Sequence, residues 1–94
     1  MKLIKITAIW CMSCIVMNET LKKIEKKNQK QYETIEFDFD SDTEEIESYN
    51  VGSILPVYIL VDNNENELAR SIGEKSKKEL MKFLSSNGGL KWRR

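Results

Sequence analysis

Residues 2 to 9, KLIKITAI, are dominated by apolar and β-branched side chains, a composition that predicts a largely buried strand. From Cys11 the period changes. Cys14, Met17, Leu21 and Ile24 recur at spacings of three and four, with Asn18, Glu19, Lys22, Lys23, Glu25 and Lys26 between them; this is the signature of an amphipathic helix of about four turns. The helix runs out in the polar stretch KKNQKQ. YETIEFDFD then alternates strictly, with Ile35, Phe37 and Phe39 on one side and Thr34, Glu36, Asp38 and Asp40 on the other, as a strand with one buried face does. The charged side suits an edge strand guarded against stray pairing.

Ser41 or Asp42 is placed to cap a short helix in DTEEIESYN, whose acidic first turn complements the helix dipole. Gly52 and Ser53 punctuate the chain, and its one proline, Pro56, opens the apolar run VYILV, which reads as a central strand covered on both faces. The turn DNNEN between VYILV and ELARSI predicts a hairpin. Gly73 interrupts the pattern, Ser76 caps, and KKELMKFLSS carries Leu80, Met81, Phe83 and Leu84 on a last amphipathic helix closed by Gly88 and Gly89. The order β-α-β-α-β-β-α requires a right-handed crossover with parallel strands at its start and an antiparallel hairpin at its end. The expected α/β architecture is a four-stranded mixed sheet of order 2-1-3-4, with the first and third helices on one face and the short second helix on the other. Residues 1–94 form one domain in this reading, with a flexible C-terminal tail from about residue 88.

Composition narrows the chemistry. The 94 residues are 40% hydrophobic, and 15 Lys plus Arg balance 15 Asp plus Glu, so no broad electrostatic pull toward nucleic acid or an anionic membrane is expected. Histidine, the commonest general base and metal ligand, is missing. Two cysteines are too few for a secreted disulfide framework. A lysine followed by an apolar stretch also opens signal peptides, but Lys5 interrupts the stretch here. What remains, Ile6 to Met17, is shorter than the roughly 20 residues of a membrane span and precedes no Ala-x-Ala-like cleavage site. A buried first strand in a cytoplasmic protein is the expectation.

Both cysteines lie in IWCMSC, residues 9 to 14. At i and i+3 on the first turn of a helix, their Cβ atoms stand about 5–6 Å apart. A disulfide needs about 3.5–4.5 Å, so small adjustments of one turn open or close the bond. As a staple it contributes little, since a loop of about four residues is worth roughly 2 kcal/mol against about 4.7 for a hundred-residue loop. Cys11 at the helix N-terminus faces unpaired N–H groups and the positive end of the helix dipole, which favour a thiolate. It is the expected nucleophile, with Cys14, one turn on and on the apolar face, as the resolving thiol. A pair of small buried thiols and half of a metal site are the other readings of the motif.

Trp10-Cys11-Met12-Ser13-Cys14 after a first strand, SILPVYILVD opening a strand at Pro56, and ELARSIGEKSKKELMKFL with Gly73 just past a hairpin together resemble thioredoxins over nearly the whole chain. The resemblance implies a thioredoxin fold and a cis Pro56 standing across from the cysteines. It also implies a groove for an extended substrate segment, lined by Trp10, Met12, Ser13, Ile54, Leu55, Pro56, Ile72 and Gly73. Three departures stand out. Met12-Ser13 replaces the usual Gly-Pro between the cysteines. Lys5 occupies the place, six residues before Cys11, where thioredoxins hold a buried acid, and Ile15 follows the second cysteine where lysine is common. An N-terminal strand and helix of full-length thioredoxins are also missing, which leaves YETIEFDFD as the sheet edge.

The function implied is thiol–disulfide oxidoreduction, the reduction of protein disulfides by Cys11 attack and Cys14 resolution. No cofactor or metal is expected beyond the redox-active Cys11–Cys14 pair. The expected partners are disulfide-containing proteins and a thioredoxin-reductase-like or other dithiol donor, with the chain a monomer and neither nucleic acid nor membrane involved. One alternative is a glutaredoxin-like, glutathione-dependent reductase, against which Ile54-Leu55 and Gly73-Glu74-Lys75 count. The other is a non-catalytic thioredoxin-like module that binds a partner or a metal.

Overall fold

The computed structural model describes residues 1–92; Arg93 and Arg94, the end of the expected flexible tail, lie outside them. Strand β1 (Lys2–Thr7) leads into helix α1 (Met12–Lys27), then β2 (Asn28–Lys30) and β3 (Glu33–Asp38). Helix α2 (Thr43–Glu47), the hairpin β4 (Val57–Val61) and β5 (Glu67–Ile72), helix α3 (Lys77–Ser86) and β6 (Leu90–Trp92) follow. The main sheet has the order β3-β1-β4-β5. Strand β1 runs parallel to β3 and antiparallel to β4, which is antiparallel to β5, so the architecture is the mixed α/β sheet expected.

Side chains alternate along β1 and divide two cores. Ile4 and Ile6 join Val57, Ile59 and Val61 under Ile46 of α2, with Ile35, Phe37 and Phe39 of the edge strand packed against them. Leu3 points the other way and joins Tyr58 and Leu60 with Met17, Leu21 and Ile24 of α1 and Leu80 and Leu84 of α3. All five residues of β4 are buried, as a strand with covering on both faces must be.

Local chemistry sets the helix ends. Ser76 caps α3 reciprocally: its hydroxyl accepts the Glu79 N–H while the Glu79 carboxylate accepts the Ser76 N–H, each at 3.1 Å. The same bonds hold the Glu79 carboxyl below its ordinary value. Asp42 is the N-cap of α2, but its carboxylate accepts the Asp38 N–H at 2.7 Å and makes no capping bond to the helix. Asp38 in turn accepts the N–H groups of Asp40 and Ser41, so these acids tie down the exit of β3 instead of the helix entry.

The expectation of a flexible tail from residue 88 is corrected for the residues described. Leu90–Trp92 pairs antiparallel with Asn28–Lys30, so the polar run in which α1 ends continues as a short strand. Gly88 has φ +76° and turns the chain back after α3. Gly89 then passes so close to the helix end that a Cβ would lie 2.9 Å from the Leu84 carbonyl oxygen, and its N–H donates to that oxygen at 2.8 Å. No helix among the described residues is long and apolar enough to cross a membrane.

Candidate active site

Strand β1 ends at Thr7, two residues earlier than expected. The Cys11 N–H donates back to the Ala8 carbonyl at 3.1 Å, and this turn throws Ile9 and Trp10 outward. Trp10 is 61% exposed and its indole N–H donates to the carboxylate of Asp40. Helix α1 begins immediately after Cys11, whose sulfur is its cap: Sγ accepts the Cys14 N–H at 3.1 Å. A cysteine thus does the work usually given to Ser or Asp at this position.

The two thiols, both reduced, live differently. Cys14 is 4% exposed. Burial is the main cause that pushes its thiol from 9.0 up to about 12; the hydrogen bond to Cys11 adds to this, a bond with Ala8 opposes it, and the charges of Cys11 and Glu36 add further. Burial likewise raises the Tyr58 phenol, with Cys14 and Glu36 contributing. At neutral pH Cys14 is therefore a protonated thiol.

Lys5 points inward. It is 5% exposed, its Nζ donates to Asn18 Oδ1 on α1 at 2.6 Å, and it lies 5.8 Å from the ring centroid of Tyr58. A buried lysine is tolerated when its hydrogens find an acceptor and its charge a π face.

The remaining candidate residues fall into two groups. Met12 (71% exposed), Ile54 and Ile72 stand open to solvent with Trp10. Ser13 is half-buried, and Leu55, Pro56 and Gly73 are buried. Leu55 shares a core cluster with Cys11 and Cys14. The Leu55–Pro56 peptide is cis. Gly73, at φ +86°, donates its N–H to the Pro56 carbonyl at 2.9 Å. A Cβ on Gly73 would meet Ile54 at 3.3 Å, so the loop before β4 and the end of β5 lie together.

Three hollows surround these groups. One of about 210 Å³ is lined by residues 50–54 with Val57, Arg70 and Ile72. One of about 130 Å³ lies beside Cys14, between Thr7, Asn18 and Glu36. A larger one of about 580 Å³ lies between β5 and α3 and touches neither cysteine; size here does not follow the chemistry. Thr7, Asn18 and Glu36 were not candidates from sequence, where Glu36 reads as a solvated residue of an edge strand. Among the described residues no group of three or more metal-ligating side chains converges.

Comparison with known proteins agrees with this geometry. The family model described as Thioredoxin matches residues 1–86. The structure of Trxlp from Edwardsiella tarda EIB202 superposes with a TM-score of 0.76 at 28% identity, covering 87% of this chain and 79% of that one. Thioredoxin-2 of a malaria parasite superposes at 0.74 with 25% identity over 90% and 82% of the two chains. Thioredoxin 1 from Thermosipho africanus TCF52B gives 0.74 at 20% identity, covering 92% of each, a likeness of fold. No curated protein matches the chain. With a family model spanning nearly its whole length and Cys11-Met12-Ser13-Cys14 at the start of its first helix, the chain belongs to the thioredoxin family.

Proposed function

We propose that the chain is a thiol–disulfide oxidoreductase that reduces protein disulfides, with Cys11 as nucleophile and Cys14 as resolving thiol. The observation that carries this is the capping sulfur: Cys11 Sγ sits at the N-terminus of α1 accepting a backbone N–H, one turn from a buried, protonated Cys14. Cys11, as thiolate, attacks one sulfur of the substrate disulfide, and the other sulfur departs with the bonding electron pair and takes a proton. Cys14 then loses its proton and attacks Cys11 Sγ. The Cys11–Cys14 bond forms, the bond from Cys11 to substrate breaks, and the second substrate sulfur leaves as a thiolate that is protonated in turn. The substrate gains two electrons and the protein is left oxidised.

Trp10, Met12, Ile54 and Ile72 supply an apolar exposed rim on which an extended substrate segment would lie, with the backbone at Leu55 and Pro56 beneath it. A reductase of the flavin type or another dithiol donor would return the pair to the dithiol state, in a reducing compartment such as the cytoplasm.

Insulin reduction with dithiothreitol as donor tests the reading. The wild-type chain should accelerate precipitation of the insulin B chain, and Cys11→Ser should abolish the effect; undiminished activity in Cys11→Ser sinks the assignment. A glutathione redox titration then fixes direction, because a potential below about −250 mV marks a reductant and one above about −180 mV an oxidant or isomerase.

A further inference from the structure

A polar row crosses the α1 and α3 side of the sheet, from Ser71, Tyr58 and Lys5, which are buried, to Glu36, which is exposed at the edge strand. Glu36 on β3 stands opposite Lys5 on β1, Lys5 opposite Tyr58 on β4, and Tyr58 opposite Ser71 on β5; residues directly opposite in a sheet project from the same face. At its β3 end the row opens into the 130 Å³ cleft that Cys14 also lines. Glu36 is held there by Thr7, whose hydroxyl donates to Oε2 at 2.9 Å, and Ala8, Ile9 and Ile15 close the cleft with apolar surface.

We propose that Glu36 is the base that accepts the proton of Cys14 when the mixed disulfide is resolved. The inference rests on the oxidoreductase reading above. Resolution requires a Cys14 thiolate, and burial keeps that thiol protonated. The titratable groups that act on it or on which it acts are Cys11 on its own helix, Glu36 on β3 and Tyr58 on β4, with Lys5 of β1 lying against Asn18 and Tyr58. Cys11 is bonded to substrate at this stage and cannot take a proton. Lys5 is already engaged, its Nζ donating to Asn18. The buried Tyr58 phenol holds its own proton. Of these groups Glu36 is the one that keeps acceptor lone pairs, since Thr7 donates to only one of its oxygens. Its carboxylate takes the proton from Cys14 Sγ, Cys14 attacks Cys11 Sγ, and the substrate thiolate released from Cys11 takes a proton from Glu36 or from solvent, restoring the carboxylate.

Single-turnover reaction with a peptide disulfide, acid-quenched and followed by mass spectrometry, separates the two steps. In Glu36→Gln the Cys11–peptide disulfide should form at the wild-type rate and resolve roughly a hundredfold more slowly, the lower end of what a positioned general base contributes. Resolution in the variant should then rise about tenfold per pH unit, as hydroxide replaces the missing base, with a flatter wild-type profile and partial rescue by Glu36→Asp. Equal resolution rates with the same pH slope overturn the role of Glu36, while failure of the wild-type chain to form any mixed disulfide overturns the oxidoreductase reading first. An independent readout uses Cys11→Ser, where Cys14 is the sole thiol. Removing the Glu36 charge in that background should move the alkylation titration of Cys14 to lower pH, and an unmoved titration contradicts the placement.

Discussion

The two faces of the central sheet are built on different terms. Under α2, Ile4, Ile6, Val57, Ile59 and Val61 form an apolar layer of the sheet that continues into Cys11 and Cys14 at its end, and the layer itself contributes by burial. Under α1 and α3 the same strands present Leu3 and Leu60 but also Lys5, Tyr58 and Ser71, and the hydroxyls of Tyr58 and Ser71 are buried with no hydrogen-bond partner among the described residues. Such groups cost stability. One face therefore contributes by apolar burial, and the other gives up part of that stability to hold a lysine and a phenol, with a carboxylate at its edge that shares a cleft with Cys14.

Substitutions on the two faces should separate these roles. Ile59→Ala on the apolar face should lower unfolding free energy by about 2–5 kcal/mol, read as a fall in the urea midpoint, and should leave the Cys11–Cys14 redox potential where it is. An equal potential shift there would erase the distinction.

The next effect is that of pH. The Cys14 thiol ionises near 9.0 when the chain is unfolded and only near 12 when folded. Between those values the unfolded state has released a proton that the folded state keeps, so stability is intact below pH 9 and declines as pH rises toward 12. Urea titrations of reduced wild type and Cys14→Ala should diverge across that window, with the variant losing less; parallel curves would mean that Cys14 is not held protonated by the fold.

Smaller still is Lys5→Met, which exchanges a buried charge for an apolar chain of like shape and should raise stability by about 1 kcal/mol while altering the pH dependence of thiol reactivity. A large loss of stability would show that Lys5 is structural. Away from both faces, Ser76→Ala removes the α3 cap and should cost about 1 kcal/mol with unchanged insulin reduction, and a change in activity would tie α3 to the site.

How much of this was legible follows from how local each signal is. The periods of α1 and α3, the alternation of β3 and the continuous apolar run of β4 are statements about neighbours in sequence, and with the right-handed crossover they yield the strand order. The motif was legible for the same reason, since Cys11 and Cys14 are one helical turn apart. The β2–β6 ribbon was not, because Asn28–Lys30 and Leu90–Trp92 are three residues each and the first is wholly polar, and their pairing depends on the turn at Gly88 and Gly89. Asp42 looked like a helix cap because its side chain can cap, yet the Asp38 N–H competes for it successfully. Glu36 was hidden most deeply. Its position beside Lys5 is a matter of register between β1 and β3, which no local pattern states; opposite charges at matching positions along two strands expected to run parallel are the signal that would have found it.

The central claim is a division of labour between two sulfurs, and trapping the covalent intermediate tests it most directly. Cys14→Ser, incubated with a protein disulfide and quenched, should accumulate a complex joined through Cys11 and released by dithiothreitol, while Cys11→Ser should accumulate none. A complex joined through Cys14 in Cys11→Ser, with none in Cys14→Ser, would contradict the assignment.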